Sequence, residues 1–406
     1  MNHHQLIVFF GQIGLMIGIA WIFGYAMRRL NQPVVLGELL AGVLIGPTVL
    51  GMFQADGQTG WLPDEPAIAS IRGGLLKVGM LFFMFAAGLE VNLKAMGRRK
   101  TSITLASLLG GALPFGLGFG GVLLFPDWWG TGDTGVFLAL FVGTALSISA
   151  LPVIARILID TGLMQRDVGA VVMAAAMIND LLGWSLFAVI LRGIGQGQQL
   201  AGLGTTLAWV AGFSVLVLAF GHWVVQPLLR RANFSEHWPL GLLSLLSALI
   251  FIAATGAEFL GIHGIFGAFL VGVALGQGSH QEEERCIHRL IQPFALGFFA
   301  PLYFVSVGIN LDFSAHFDGR LVFLVCLIAS VGKILGGGLG AWLGGMTVRH
   351  AMAVGVALNA RGAIEIILAS IALENHLITP PLFVALSVMA FATSLACGPL
   401  LKRLVQ

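Results

Sequence analysis

The chain has 406 residues, of which 57% are hydrophobic and only 10% are charged, and its formal net charge is +2. Soluble globular proteins carry about 25% charged residues, so this composition excludes an ordinary soluble domain. Apolar runs of about 20 residues recur from end to end, and 56 glycines accompany them, as in bundles of membrane helices that approach through small side chains. The sequence therefore predicts an all-α polytopic membrane protein.

Patterns typical of enzymes and metalloproteins do not occur in the sequence. Cys286, Cys326 and Cys397 are scattered and lack metal-ligand spacing. The Gly332-Lys333 pair lacks the spacing of a phosphate-binding loop. We therefore predict that the protein is not an enzyme, needs no cofactor and has no nucleic-acid partner.

Charged or Pro/Gly-rich connections divide the chain into about 13 predicted membrane spans, with boundaries loose by several residues. The spans cover residues 6–27, 34–53, 67–89, 102–125, 136–159, 168–191, 205–229, 239–259, 262–277, 294–311, 321–345, 351–373 and 380–401. The first span lacks the basic start and the cleavage site of a signal peptide, so we expect it to be retained.

Basic residues are concentrated in every second connection between these spans. Examples are Arg28 and Arg29 after the first span, and Lys402 and Arg403 after the last. Cytoplasmic loops carry the excess of Lys and Arg in membrane proteins. The N-terminus is therefore predicted to lie outside and the C-terminus in the cytoplasm.

Span 6 carries Asn179 and Asp180 near the middle of an apolar run. A charged side chain at the bilayer centre costs roughly 2.5 to 3.5 kcal/mol on insertion scales, and such residues mark ion or proton pathways. The alternative is a polar pair that packs two helices, but that role needs only the asparagine. Because a carboxylate binds either a proton or a monovalent metal cation, Asp180 is the predicted ion-binding and proton-carrying residue.

Polar residues that form helices poorly interrupt two spans. Span 5 contains Thr144, Ser147 and Ser149 ahead of Pro152, and span 12 contains the polar stretch 359–365. If spans 1–6 and 8–13 are repeats joined by span 7, these two spans correspond and the repeats have inverted topology. The sequence then predicts two crossing broken helices. The hydroxyls of span 5 are either part of an ion site or ordinary interhelical hydrogen-bonding groups, and Pro152 is alternatively a simple kink.

Three more charges lie at predicted membrane depth. Lys333 is too far from either end of span 11 to snorkel, and Arg361 keeps its proton and so needs a partner. Glu365 follows four residues later and can pair with Arg361 if the helix continues locally. Since the ends of broken helices carry partial charges, we predict that Lys333, Arg361 and Glu365 balance them together with Asp180.

Asp180, Lys333 and Arg361 lie within motifs through which the chain resembles the monovalent cation:proton antiporters, specifically the bacterial branch with the NapA sodium/proton antiporters and the Kef potassium efflux systems. The motifs are RLNQPVVLGE at 29–38, AGVLIGP at 41–47, FMFAAGLE at 83–90, GTA at 143–145, IND at 178–180, GIFGA at 264–268, GKILG at 332–336 and Arg361-Gly362. The resemblance covers essentially the whole chain.

The resemblance implies a homodimer with the NapA/NhaA-like antiporter fold, in which an ion-binding core moves against a dimerisation domain. The dimerisation domain would comprise residues 1–100 (spans 1–3) and 239–320 (spans 8–10). The core would comprise residues 101–200 (spans 4–6) and 321–406 (spans 11–13). Residues 201–238 would form the linking span 7.

The resemblance also implies that Asp180 binds the transported Na⁺ or K⁺, with Asn179, Thr144, Ser147 and Ser149 supporting the site. Electrogenic relatives carry two adjacent aspartates, and the first pairs with the lysine that corresponds to Lys333. Here the first position is Asn179. Such Asn-Asp pairs are typical of electroneutral relatives, although those commonly have an arginine in place of the lysine.

The leading hypothesis is therefore a secondary active antiporter that exchanges Na⁺ or K⁺ for H⁺ by alternating access, with electroneutral stoichiometry. One alternative is the membrane domain of a Kef-like potassium efflux system without its regulatory domain. Another is a sodium-coupled symporter of organic solutes, which needs a larger polar cavity than one carboxylate and a few hydroxyls provide.

Overall fold

The computed structural model describes residues 3–30, 32, 34–49, 65–89, 99–129, 135–164, 166–195, 203–232, 239–276 and 281–405. That part of the chain is helical and contains no strand. The helices are α1 (His3–Arg29), α2 (Val34–Ile45), α3 (Pro66–Leu89), α4 (Lys100–Leu124), α5 (Gly135–Ser147), α6 (Leu151–Asp160), α7 (Asp167–Gly195), α8 (Leu203–Phe220), α9 (Gln226–Ala232), α10 (Pro239–Phe259), α11 (Gly264–Gly276), α12 (Gln281–Phe294), α13 (Ala300–Ile309), α14 (Gly319–Leu343), α15 (Val348–Leu358), α16 (Ala363–Glu374) and α17 (Pro380–Val405). The predicted all-α class is confirmed.

Nine helices within the described ranges are long and apolar enough to cross a membrane, and four shorter apolar helices accompany them. Each predicted span overlaps one helix of the structure or two successive helices. The number of spans that cross the bilayer, predicted as 13, stays a prediction. The motif residues Asn31, Pro33 and Glu90 lie outside the described residues.

The second span is shorter as a helix than predicted. Helix α2 ends at Ile45, although Gly46 N still donates to Gly42 O at 2.8 Å. Pro47 explains the end, because a proline disfavours helical geometry at the residue before it. Thr48 then donates its hydroxyl to Leu311 O at 2.6 Å, which fixes the chain after the helix.

The tenth span begins earlier than residue 294. Helix α12 is followed directly by a π-helical turn, Ala295–Phe299, and then by α13. Pro293 lies inside this run and has no N–H to donate, so a local change in hydrogen-bond register is expected next to it. A second π-helical turn, Gly221–Val225, joins α8 to α9 in the same way.

The protein divides into two compact units. Unit 1 comprises Met1–Asn92 with Ala201–Asp312, and unit 2 comprises Leu93–Leu200 with Phe313–Gln406. Within unit 1, aromatic rings fill the core: Phe82 stacks on Phe299 with ring centroids 5.7 Å apart, and Phe294 meets Phe299 edge-on at 4.9 Å. These rings bury large apolar areas and favour such offset and edge-on geometries.

Unit 2 contains two sequence-distant groups of helices with the same order. A long helix, two short helices and another long helix form α4 to α7, and the same succession forms α14 to α17. The two long leading helices, α4 and α14, pack tightly because glycines line their contact. A Cβ atom on Gly336 would lie 2.2 Å from Leu109 O, and one on Gly340 would lie 2.2 Å from Leu105 O. Small residues thus allow the backbones of α4 and α14 to approach closely.

Candidate ion-binding site

In unit 2, a non-helical stretch separates the two short helices of each pair, and the two non-helical stretches contact each other. The first separates α5 from α6 at residues 148–150, and the second separates α15 from α16 at residues 359–362. Ala150 N donates to Ala360 O at 3.1 Å, and Ser149 Oγ donates to Leu358 O at 2.9 Å. Helix α5 contacts α16, and α6 contacts α15. The polar stretches that predicted broken helices therefore meet at one place in the fold.

Two buried cations lie at the carboxyl end of α5. Arg361 donates from Nη1 to Ala145 O at 2.9 Å and from Nη2 to Leu146 O at 2.6 Å. Lys333 Nζ donates to Ser147 O. The last carbonyls of a helix have no partner within the helix and carry its partial negative charge. Lys333 and Arg361 therefore satisfy these carbonyls and lie at the negative end of the α5 dipole.

Asp180 lies at the amino end of the following half-helix. Its carboxylate, carried by α7, accepts a hydrogen bond at 3.4 Å from Ser149 N, just before α6, and only 3% of Asp180 is exposed. The free N–H groups at a helix amino end carry a partial positive charge that favours an anion. The break in span 5 thus provides a favourable position for the ionised carboxylate inside an apolar helix bundle.

The second interruption holds a buried ion pair. Arg361 Nη1 lies 2.7 Å from Glu365 Oε1, and Ser394 Oγ donates to Arg361 O. The helix does not continue from Arg361 to Glu365, because α16 begins only at Ala363. The pair still forms, since Glu365 lies in the first turn of α16 and can reach back to the interruption.

Asn179 lies beside Lys333 and offers it an amide in place of a carboxylate. In the amide orientation that satisfies both of its polar atoms, Asn179 Oδ1 accepts from Lys333 Nζ at 3.3 Å, and Nδ2 donates to Ser107 O at 2.9 Å. The hydrogen bonds of Lys333 therefore go to a backbone carbonyl and to a neutral amide.

The predicted hydroxyl groups lie in and around the first interruption, but none of their protons goes to Asp180. Thr144 Oγ1 donates to Leu140 O at 2.7 Å, and Ser147 Oγ donates to Thr144 O at 2.9 Å. A hydroxyl that donates to a carbonyl keeps lone pairs that can bind a cation. The span 5 segment contacts Asp180 through the backbone N–H groups of Ser149 and Leu151.

The four ionisable groups of this site have formal charges that cancel. Asp180 and Glu365 contribute two negative charges, and Lys333 and Arg361 contribute two positive charges; all four are at most 3% exposed. Glu365 is engaged by Arg361 at 2.7 Å, whereas the carboxylate of Asp180 accepts from the backbone N–H of Ser149. No group of three His, Cys, Asp or Glu residues with metal-binding geometry occurs within the described ranges.

Some polar partners at the site were not identified from the sequence. Ser107 and Ser394 lie at predicted membrane depth in spans 4 and 13, and both are buried. Their polarity in apolar runs was the available signal. The hydrogen bonds that the backbone carbonyls of Ala145 and Leu146 accept could not be predicted from the side chains of these residues.

Comparison with known proteins identifies a matching family model and several relatives. Residues 15–406 match the family model described as "Sodium/hydrogen exchanger, transmembrane". The chain is 27% identical to the Na(+)/H(+) antiporter NhaS4 of Synechocystis sp., over 100% of this chain and 98% of that protein. It is 28% identical to the Na(+)/H(+)-K(+) antiporter GerN of Bacillus cereus, over 97% of this chain and 95% of GerN.

A plant relative is longer than this chain. The chain is 30% identical to Cation/H(+) antiporter 17 of Arabidopsis thaliana over 98% of its own length, which corresponds to 48% of the plant protein. Among solved structures, the sodium proton antiporter MjNhaP1 from Methanocaldococcus jannaschii matches with a TM-score of 0.67 at 17% identity, over 98% of this chain and 97% of that one. The two proteins share a fold.

Proposed function

Since the chain belongs to the family of transmembrane sodium/hydrogen exchangers, we propose that it exchanges Na⁺ or K⁺ for H⁺ at the carboxylate of Asp180 by alternating access. The observation that carries this proposal is the position of Asp180, buried at the amino end of α6 and bonded to Ser149 N. A proton and a monovalent cation each cancel the negative charge of a carboxylate. With either ligand, the carboxylate has no net charge in its apolar surrounding. Both ligands therefore suit the same site, one at a time.

Competition at one carboxylate couples the two fluxes. When Asp180 carries neither ligand, the four formal charges of the site cancel, but the negative charge of its own carboxylate stays desolvated and without a ligand, which opposes movement through the membrane core. When it carries a proton or a cation, that charge is cancelled. The protein would therefore exchange one ligand for the other across the bilayer and not leak either one.

Electroneutral exchange is the stoichiometry that the charges favour. Asp180 binds one proton or one monovalent cation, so the four-charge site has the same net charge in both loaded states. Lys333 would add a second transported proton only if cation binding displaced one from it. Its partners are the carbonyl of Ser147 and the amide of Asn179, and neither competes with a cation as a carboxylate would.

Units 1 and 2 would then have different roles. Unit 2 holds both broken helices and all four buried charges of the site, so we assign it as the ion-binding core. Unit 1 would provide the dimerisation domain of a homodimer in a bacterial inner membrane. The arrangement of basic connections supports an outside N-terminus and a cytoplasmic C-terminus.

The relatives differ in the cation that their names give, so the proposed substrate includes both Na⁺ and K⁺. GerN is named for both cations, NhaS4 for sodium, and a yeast relative at 27% identity is a K(+)/H(+) antiporter. Both cations bind carboxylate, hydroxyl and carbonyl oxygens.

The experiment that tests the function is cation-dependent proton flux in proteoliposomes that contain the purified protein. An outward cation gradient should acidify the lumen and an inward gradient should alkalinise it, and the response should differ among Na⁺, K⁺ and Li⁺. Choline at the same concentration is the control. If none of the three metal cations drives proton movement above the choline level, the proposed function is wrong.

A further inference from the structure

Unit 2 contains a cavity that lies outside the ion-binding site and is lined by both polar and apolar residues. The cavity has a volume of about 520 Å³. It is lined by Arg99, Leu163, Arg166, Asp167, Val168, Gly345, Met346, Thr347, His350 and Val405. None of these residues belongs to the cluster of Asp180, Lys333, Arg361 and Glu365.

The charged groups around this cavity are predominantly basic. Asp167 is already neutralised, because its Oδ2 accepts from Arg99 Nε at 3.2 Å and from Arg99 Nη2 at 2.7 Å. Within the described ranges, the side chains of Arg166 and His350 have no hydrogen-bond or ion-pair partner. The cavity therefore offers an unpaired guanidinium and an imidazole to an anion.

The backbone adds to this positive character. Three helices of unit 2 begin at the wall of the cavity: α4 directly after Arg99, α7 at Asp167, and α15 directly after Thr347. The side chain of Arg99 makes no capping hydrogen bond to α4. Helix amino ends present free N–H groups and a partial positive charge. Three of them beside the guanidinium of Arg166 and the imidazole of His350 form an electrostatic environment suited to an anion.

The size and the remaining lining indicate what else the ligand carries. Pockets for small organic molecules have volumes of roughly 300 to 1,000 Å³, so an inorganic phosphate alone would leave most of this space empty. Leu163, Val168, Met346 and Val405 supply an apolar wall. We propose that this cavity binds an organic phosphate, with the phosphate group held by Arg166 and His350 and the less polar remainder against the apolar wall.

Two sources of an organic phosphate fit this chemistry. One is a soluble phosphomonoester, and the other is the headgroup of an anionic phospholipid, since basic pockets between membrane helices bind such headgroups. The position supports either source, because the predicted topology places the beginnings of α4, α7 and α15 at the cytoplasmic face.

The test is the thermal stability of the full chain in a neutral detergent. The probes are uridine monophosphate with uridine as its control, short-chain phosphatidylglycerol with short-chain phosphatidylcholine as its control, and sodium phosphate. A ligand that binds only the folded state raises the unfolding temperature. We expect a rise of a few degrees with one of the two organic phosphates and none with its control.

Variants locate the binding site. Arg166→Gln removes the unpaired guanidinium, and loss of a charged hydrogen bond should weaken the apparent affinity about tenfold. His350→Gln provides a second variant in case Arg166→Gln does not fold. Arg289→Gln is the matched control, because Arg289 is exposed on α12 in unit 1.

A response to uridine monophosphate that Arg166→Gln or His350→Gln weakens supports the proposal with a soluble ligand. The same pattern with phosphatidylglycerol supports it with a lipid headgroup. The proposal is overturned if neither organic phosphate stabilises the protein, if sodium phosphate stabilises it equally well, or if the cavity variants respond like Arg289→Gln.

Discussion

Arg361 Nη1 lies 2.7 Å from Glu365 Oε1, and both side chains are withdrawn from solvent. The same guanidinium donates to the carbonyls of Ala145 and Leu146 at the end of α5. Arg361 therefore connects the two broken helices, and Glu365 supplies the compensating charge. The interruption at 359–362 is held by a salt bridge as well as by backbone hydrogen bonds.

Removing the charge of Glu365 should destabilise the protein. Breaking a buried ion pair by removing one partner costs about 3 to 5 kcal/mol, because the other charge stays buried without compensation. Glu365→Gln should thus lower the unfolding temperature in detergent. Glu258→Gln is the matched control, since the Glu258 side chain is 62% exposed and the amide oxygen can still accept from Gly264 N. Equal unfolding temperatures for the two variants would show that the pair does not stabilise the interruption.

A methyl group on the glycine face of α14 should separate α14 from α4. The added Cβ of Gly340→Ala would lie 2.2 Å from Leu105 O, so the backbones must move apart. Overpacking of this kind costs about 1 to 3 kcal/mol. Gly116→Ala is the control, because a Cβ there meets nothing within 4 Å. We expect thermal unfolding to show a clear loss for Gly340→Ala alone, and a loss of the same size in the control would contradict the packing argument.

Competition between proton and cation predicts a pH dependence of transport. When both bind the same carboxylate, protons occupy Asp180 at low pH and must be displaced. The half-saturating concentration of Na⁺ or K⁺ should therefore fall as pH rises, by up to about tenfold per unit while the protonated form predominates. Initial rates of exchange at several pH values measure it. A half-saturating concentration that does not change with pH would show that the proton and the cation do not compete for one carboxylate.

The charge carried per cycle should depend on Asn179. Wild-type exchange is expected to produce no steady current, because one proton replaces one monovalent cation. Asn179→Asp gives Lys333 an adjacent carboxylate, for which a cation can compete, and a second proton can then move in each cycle. Solid-supported membrane recordings should show a current for this variant that the wild type lacks. A sustained wild-type current under the same gradient would rule out electroneutral exchange.

Candidate site residues and broken helices could be predicted from the sequence where polar residues stand in an apolar run. Asp180 and Lys333 stand out in apolar runs, and the stretches around Ser149 and Asn359 form helices poorly, so the broken helices could be predicted from single spans. The partners were harder to find. Lys333 donates to Ser147 O and Arg361 to Ala145 O, contacts between backbone atoms and side chains far apart in sequence. Periodicity within one helix carries no information about such contacts.

Helix ends also depended on local backbone chemistry that the hydropathy pattern does not report. The apolar run of span 2 continues to residue 53, but Pro47 ends the helix at Ile45. Conversely, Pro293 did not end a helix, because a π-helical turn at 295–299 accommodates it. Hydropathy thus predicts where long apolar helices occur more reliably than where each helix begins and ends.

The most direct test of the central claim is exchange by Asp180→Asn beside Asp318→Asn in proteoliposomes. Asp318 caps α14 by accepting from Arg320 N and Leu321 N, and asparagine caps helices as well as aspartate, so this control removes a carboxylate without removing its structural role. We predict wild-type exchange by Asp318→Asn and, for Asp180→Asn, a folded protein whose cation-driven proton flux equals that of empty liposomes. Exchange by Asp180→Asn at the rate of the control would contradict the assignment of Asp180 as the ion-binding carboxylate.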